Sequence, residues 1–145
     1  MDLPDEHHVM RLVSFSRLLR DEDERIIGFL PQAFMMREDE KNLSVNWLEK
    51  FGGTYAENVR CSVKTFRSTM NVRPKSAFGV GNVKKIKDAC GCVGAKKVRI
   101  LHAPEEDNEA HSVITNLPRE EVALYEALAD DVFEELIRNA DIPYD

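Results

Sequence analysis

The spacing of apolar residues changes period several times along the chain, and each change marks an expected element. From His8 to Phe15 (H-V-M-R-L-V-S-F), Val9, Val13 and Phe15 lie on one side of an extended backbone and Met10 and Leu12 on the other, as in a strand covered on both faces. Arg11 is the one charge within it. After the solvated turn Asp21 to Arg25, the segment Ile26 to Met36 returns as extended chain broken by Gly28 and Pro31. Proline cannot donate to a central ladder, so this reads as a hairpin with an irregular second strand. Leu43, Trp47, Leu48 and Phe51 then share a helical face, with Ser44 as cap and Gly52-Gly53 as stop, which predicts a short helix with the single Trp in the core.

Thr54 with Glu57 three residues later forms a capping-box pattern, and Val59, Val63, Phe66 and Met70 continue at helical spacing. Val59, Cys61, Val63 and Thr65 also alternate as a strand would, but the cap and the longer stripe favour a helix. Ala77 to Val80 reads as a short strand, Gly81-Asn82 as a turn into the helix V-K-K-I-K-D-A-C, and Val98, Ile100 and Leu101 as a strand ending at His102. Pro104 to Asn108 forms a polar loop. From Pro118 to Arg138, Val122, Tyr125, Leu128, Ala129, Val132, Phe133, Leu136 and Ile137 trace one stripe opposite a largely acidic face.

The expected fold is therefore a single globular α+β domain over 1–145. A small mixed sheet from the segments near 8–15, 26–36, 77–80 and 98–102 is packed by about four helices, at 44–51, 54–70, 82–90 and 118–138. The last is a long amphipathic C-terminal helix. A chain of 145 residues hides about 68–70% of its unfolded surface on folding, enough for one core without staples. Its three cysteines, Cys61, Cys90 and Cys92, are too few and odd in number for a disulfide framework, which favours the cytosol. The acidic start M-D-L-P-D-E-H-H has neither signal-peptide nor transit-peptide character, and no window approaches the ~20 apolar residues of a membrane span.

Charge alters this picture more than composition does. The net charge of −6 conceals a segregation: residues 60–99 hold eleven Lys and Arg against Asp88 alone, while 104–145 hold thirteen acids against Arg119 and Arg138. Lys84, Lys85, Lys87, Lys96 and Lys97 belong to a basic block whose sequence neighbours cannot neutralise it, so it attracts anions. Either acidic segments of the fold cover the block, or a protein partner, a second copy or a nucleic acid does. Only Phe66 and Phe78 interleave the basic residues, which gives poor support for stacking on single strands.

Four features have candidate chemistry. Gly79-Val-Gly81-Asn82 follows a strand and opens a helix, a setting in which backbone N–H groups hold phosphate, although a turn capped by Asn82 accounts for it more simply. It also faintly resembles a helix-hairpin-helix turn, with Lys85 where that motif has a small residue. His102, at a strand end, and His111, followed by Ser112, provide residue types for acid/base and nucleophilic chemistry around a loop carrying Asp107. Arg11 and Arg37 sit at the polar ends of V-M-R and A-F-M-M-R, as Glu49 does in N-W-L-E; the two arginines converge on one anion if the first two strands pair, and the commoner alternative is that they are surface charges snorkelling over the core. Cys90-x-Cys92 with a His has zinc-ligand chemistry but lacks a second C-x₂-C, so no metal is expected, and no motif calls for a cofactor.

The segments H-H-V-M-R, A-F-M-M-R, L-S-V-N-W-L-E, G-N-V-K-K-I-K-D-A and D-N-E-A-H-S together resemble a family of small bacterial proteins with no assigned activity. The resemblance covers most of the chain and implies no functional residue. The expected function is a cytoplasmic bacterial binding or accessory module that works through its charge-polarised surface, with a protein partner or by self-association and without a membrane. The alternatives are a histidine-dependent enzyme acting on a phosphate-bearing or nucleotide substrate, and a nucleic-acid-binding protein.

Overall fold

A computed structural model describes residues 1–91 and 96–144. In chain order the strands are β1 (His8–Val13), β2 (Leu18–Arg20), β3 (Ile26–Phe29), β4 (Leu43–Trp47), β5 (Ala77–Asn82), β6 (Arg99–His102), β7 (His111–Thr115) and β8 (Glu135–Arg138). Six of them form one sheet in the order β6-β7-β4-β1-β5-β8, and every neighbouring pair is antiparallel. β2 and β3 form a separate ribbon. The small mixed sheet is thus corrected to a six-stranded antiparallel one, and the segment 26–36 contributes nothing to it.

Among the described residues three α-helices replace the expected four: α1 (Tyr55–Thr69), α2 (Val83–Cys90) and α3 (Val122–Ala127). α1 starts where its capping box predicts, with the Thr54 hydroxyl accepting from the Glu57 N–H and the Glu57 carboxylate accepting from the Thr54 N–H. Asn82 caps α2 by accepting from the Lys85 N–H at 3.0 Å.

The helix expected at 44–51 is instead β4 followed by a 3-10 turn at Leu48–Phe51. Leu43, Val45 and Trp47 are buried in one core with period two, while Asn46, between them, meets α1 on the other face. Leu43 and Trp47 fit both periods, and pairing with β1 and β7 decides between them. The expected long C-terminal helix is also corrected. α3 passes through a π-helical turn at Leu128–Val132 and the chain then becomes β8, the partner of β5. Leu136 and Ile137, placed on one helical stripe by the sequence reading, pack against opposite cores as strand residues.

The sheet separates two cores. On one face α1 places Val59, Val63 and Phe66 against Met10, Phe78 and Val80. On the other, α2, α3 and the ribbon cover Val9, Val13, Val45 and Trp47. Gly79 and Gly81 serve this second core. A Cβ at Gly79 would lie 2.9 Å from the Phe29 ring, and one at Gly81 would lie 3.0 Å from the Phe133 ring. The bare strand is a seat for two aromatic rings.

Candidate anion-binding cleft

β1 and β4 pair only at Val9 with Trp47 and Met10 with Asn46. Beyond Met10 they part, while β1 stays paired with β5 along its whole length. Arg11 occupies the fork. Its Nε donates to the Ala33 carbonyl at 2.8 Å and its Nη1 to the Ser44 carbonyl at 3.0 Å, so a guanidinium bridges strands whose ladder has ended.

The fork opens into a cleft of about 470 Å³ lined by Arg11, Arg17 and Arg37, with Glu40 as its lining carboxylate and Phe66 of α1 and Met70, the residue that ends the helix, as apolar wall. Arg11 and Arg37 both line this cleft, although the strand pairing on which the sequence reading made their convergence depend, between the first strand and the segment 26–36, does not form. Arg17 is the residue that sequence reasoning missed, because F-S-R carries no pattern pointing to a cleft. It is held by donation from Nη1 to the Gln32 carbonyl at 3.1 Å. Arg119 fixes the Arg37–Glu40 loop by donating to the backbone carbonyls of both residues.

The electrostatics follow from crowding. Burial pushes Arg11 down to about 10; Glu40 opposes that shift, and the charges of Arg17 and Arg37 add to it. Arg11 is still a cation at neutral pH. Desolvation works to raise the Glu40 carboxyl, but hydrogen bonds from the Arg37 backbone and guanidinium, with the charge of Arg11, outweigh it and hold the group below its usual range. Three fixed cations against one ionised carboxylate leave the cleft with surplus positive charge.

The cleft continues in two directions. Past Leu12 and Ser14 it meets a hollow of about 440 Å³ bordered by Arg73 and Lys75. Past Ser44, Phe66 and Met70 it meets one of about 330 Å³ bordered by Asn46, Asn108, His111, Glu105 and Asp107.

The other candidate residues lie elsewhere or are engaged. Lys84 pairs with Asp88 at 2.8 Å, Lys85 with Glu134 and Lys87 with Asp5, while Arg99 pairs with Asp2 at 2.7 Å. These partners come mainly from the N-terminal segment and from α2 itself. Lys96 and Lys97 are exposed. Cys92 of the Cys90-x-Cys92 pattern lies outside the described residues, and among those described no group of three or more His, Cys, Asp and Glu could hold a metal.

The histidines are clasps. His102 Nε2 lies 2.6 Å from the Glu109 carbonyl and His111 Nδ1 lies 2.7 Å from the Ala103 carbonyl, closing the β6–β7 loop from both ends. His102 opposes Ser112 in the ladder, whereas His111 precedes Ser112 and opposes Asn46, so the two imidazoles leave opposite faces of the sheet. Ser112 is fully buried and donates to the Ala110 carbonyl at 3.2 Å. This arrangement does not assemble a shared acid/base and nucleophile site. At the other end of β1, His7 accepts from Trp47 Nε1 at 2.9 Å, and His8 bonds Glu49 through both its backbone N–H and Nδ1 at 2.7 Å, which keeps Glu49 away from the cleft.

No protein-family model, curated protein or solved structure matches the chain. No helix among the described residues is long and apolar enough to cross a membrane.

Proposed function

We propose that the protein is a binding module whose working surface is the cleft at the β1–β4 fork, and that it recognises a phosphate or carboxylate group seated among Arg11, Arg17 and Arg37. The observation that carries this reading is the convergence of three guanidiniums on one partly enclosed space holding a single, already ionised carboxylate. Guanidiniums suit this task because their planar donor pairs match the oxygen spacing of carboxylates and phosphates. The lysines of α2 are secondary, since Lys84, Lys85 and Lys87 each have a carboxylate of their own, whereas the cleft sets three guanidiniums against Glu40, the partner of Arg37.

Titrating phosphate into the labelled protein tests the reading. Shifts centred on the amides around Arg11, Arg17 and Arg37, weakened by added salt and lost in Arg37→Ala, are expected. Shifts centred on α2 would move the function back to the lysines.

A second reading, an acidic segment of a protein partner laid along the surface, is favoured by the continuation of the cleft to Arg73 and Lys75. On that reading an acidic peptide outcompetes phosphate, and Arg73→Ala weakens the peptide while leaving phosphate untouched.

A further inference from the structure

The cleft and the hollow beyond Ser44 are of opposite character. They share Ser44, Phe66 and Met70, yet one end carries Arg11, Arg17 and Arg37 and the other Glu105 and Asp107. We infer that they form one bipolar site for a small zwitterionic ligand, with its phosphate or carboxylate among the arginines and its ammonium group at Glu105 and Asp107. This inference rests on the reading of the cleft as an anion site and adds the chemistry of the ligand's other end.

Three observations support it. The acidic end is held in place: Asn108 is buried and donates to Asn46 Oδ1 at 2.8 Å, Asn46 donates to Ser62 Oγ at 3.1 Å, and the Ala110 N–H closes the chain on Asn108 Oδ1 at 3.1 Å. The loop bearing Glu105 and Asp107 is thereby fastened to β4 and α1. His111, with Nε2 3.2 Å from Ser44 Oγ and 3.9 Å from Glu105 Oε1, lines the passage between the ends. Between the charges lie Phe66 and Met70, and Met70 is 53% exposed, an apolar surface suited to a methylene spacer.

A ligand with a single charge uses half of this site. A ligand of suitable length that carries both signs satisfies both ends, so neither end meets a group of its own sign. Each added charge-assisted hydrogen bond in a partly enclosed site corresponds to about tenfold in affinity.

The test is a calorimetric series of ω-aminoalkyl phosphates of increasing spacer length, each compared with the alkyl phosphate lacking the ammonium. The expected result is that one spacer length binds about tenfold tighter than its alkyl counterpart. Glu105→Gln with Asp107→Asn should erase that advantage, and Arg37→Ala should weaken both compounds. Both sets of substitutions are at exposed side chains. Equal binding of aminoalkyl and alkyl phosphates at every length overturns the bipolar site while leaving the anion cleft standing. Absence of binding by every phosphate and by the matching ω-amino carboxylates overturns both.

Discussion

Arg11 Nη1 donates to the Ser44 carbonyl across 3.0 Å, joining β1 to β4 at the level where the two strands have stopped pairing. The same guanidinium therefore supports the fold and supplies the cleft with charge. Arg11→Met should leave the Ala33 and Ser44 carbonyls without their donor and cost about 2–3 kcal/mol. Arg11→Lys should recover only part of this, because one ammonium cannot reproduce the two-directional fork of a guanidinium. Urea denaturation measures the first effect, and phosphate titration of the folded variants measures loss of the anion site.

The aromatic seats on β5 make a prediction independent of charge. Gly79→Ala and Gly81→Ala each force a methyl against a packed ring, and overpacking of this kind costs about 1–3 kcal/mol. Denaturation midpoints of the single variants check it. A neutral result at both positions would mean that the Phe29 and Phe133 rings do not rest on the strand.

Reversing Lys84, Lys85 and Lys87 to glutamate removes three ion pairs and places new carboxylates beside Asp88, Glu134 and Asp5. The melting temperature should fall, and the fall should shrink in high salt. Phosphate affinity at the cleft should stay within about twofold. A large loss of phosphate binding in this variant, with the fold intact, would identify α2 as the true anion surface.

Acid should loosen the N-terminal segment. The hydrogen bond from Arg99 holds the Asp2 carboxyl below its usual range, that from Lys87 does the same for Asp5, and bonds from Thr54 do so for Glu57. Each folded value is depressed, so the stabilisation is complete above the ordinary carboxylate range of about 3.9–4.3 and is lost as pH falls through the lower folded values. Thermal melts from neutral to strongly acidic pH should steepen below about 4. Asp5→Asn should flatten that dependence, and amide exchange at Leu3 and Lys84, which bond the Ile100 and Asp5 carbonyls, should report the detachment.

Asn46 links three elements through its side chain alone. Asn46→Leu leaves the Asn108 amide and the Ser62 hydroxyl without their partner in a buried place and should cost about 1–3 kcal/mol. Faster amide exchange at Glu105 and Asn108 would show that the acidic loop has been released with it.

What the sequence disclosed divides along the range of the interactions responsible. α1 was legible because Thr54, Glu57 and the apolar stripe behind them are neighbours in the chain. β4 and β8 were not, since Leu43 and Trp47 fit a helical and a strand period alike, Leu136 and Ile137 suit either a helical stripe or a strand covered on both faces, and only distant partners choose between them. The cleft was half legible: Arg11 and Arg37 stood out as charges at the ends of apolar runs, while Arg17 owes its place to the turn after β1. The basic block looked unmatched because Lys87 and Arg99 find their carboxylates at Asp5 and Asp2, at the far end of the sequence.

The central place of β1 also bears on how the chain comes off the ribosome. Its partners on either side, β4 and β5, are completed only when Trp47 and Asn82 have been made, so the run H-V-M-R-L-V waits for both neighbours until the chain has grown well past it. An unpartnered apolar strand invites association between nascent chains, and a charge within it discourages that. Arg11 is the only such charge, which makes it a gatekeeper before the sheet exists and a bridge once it does.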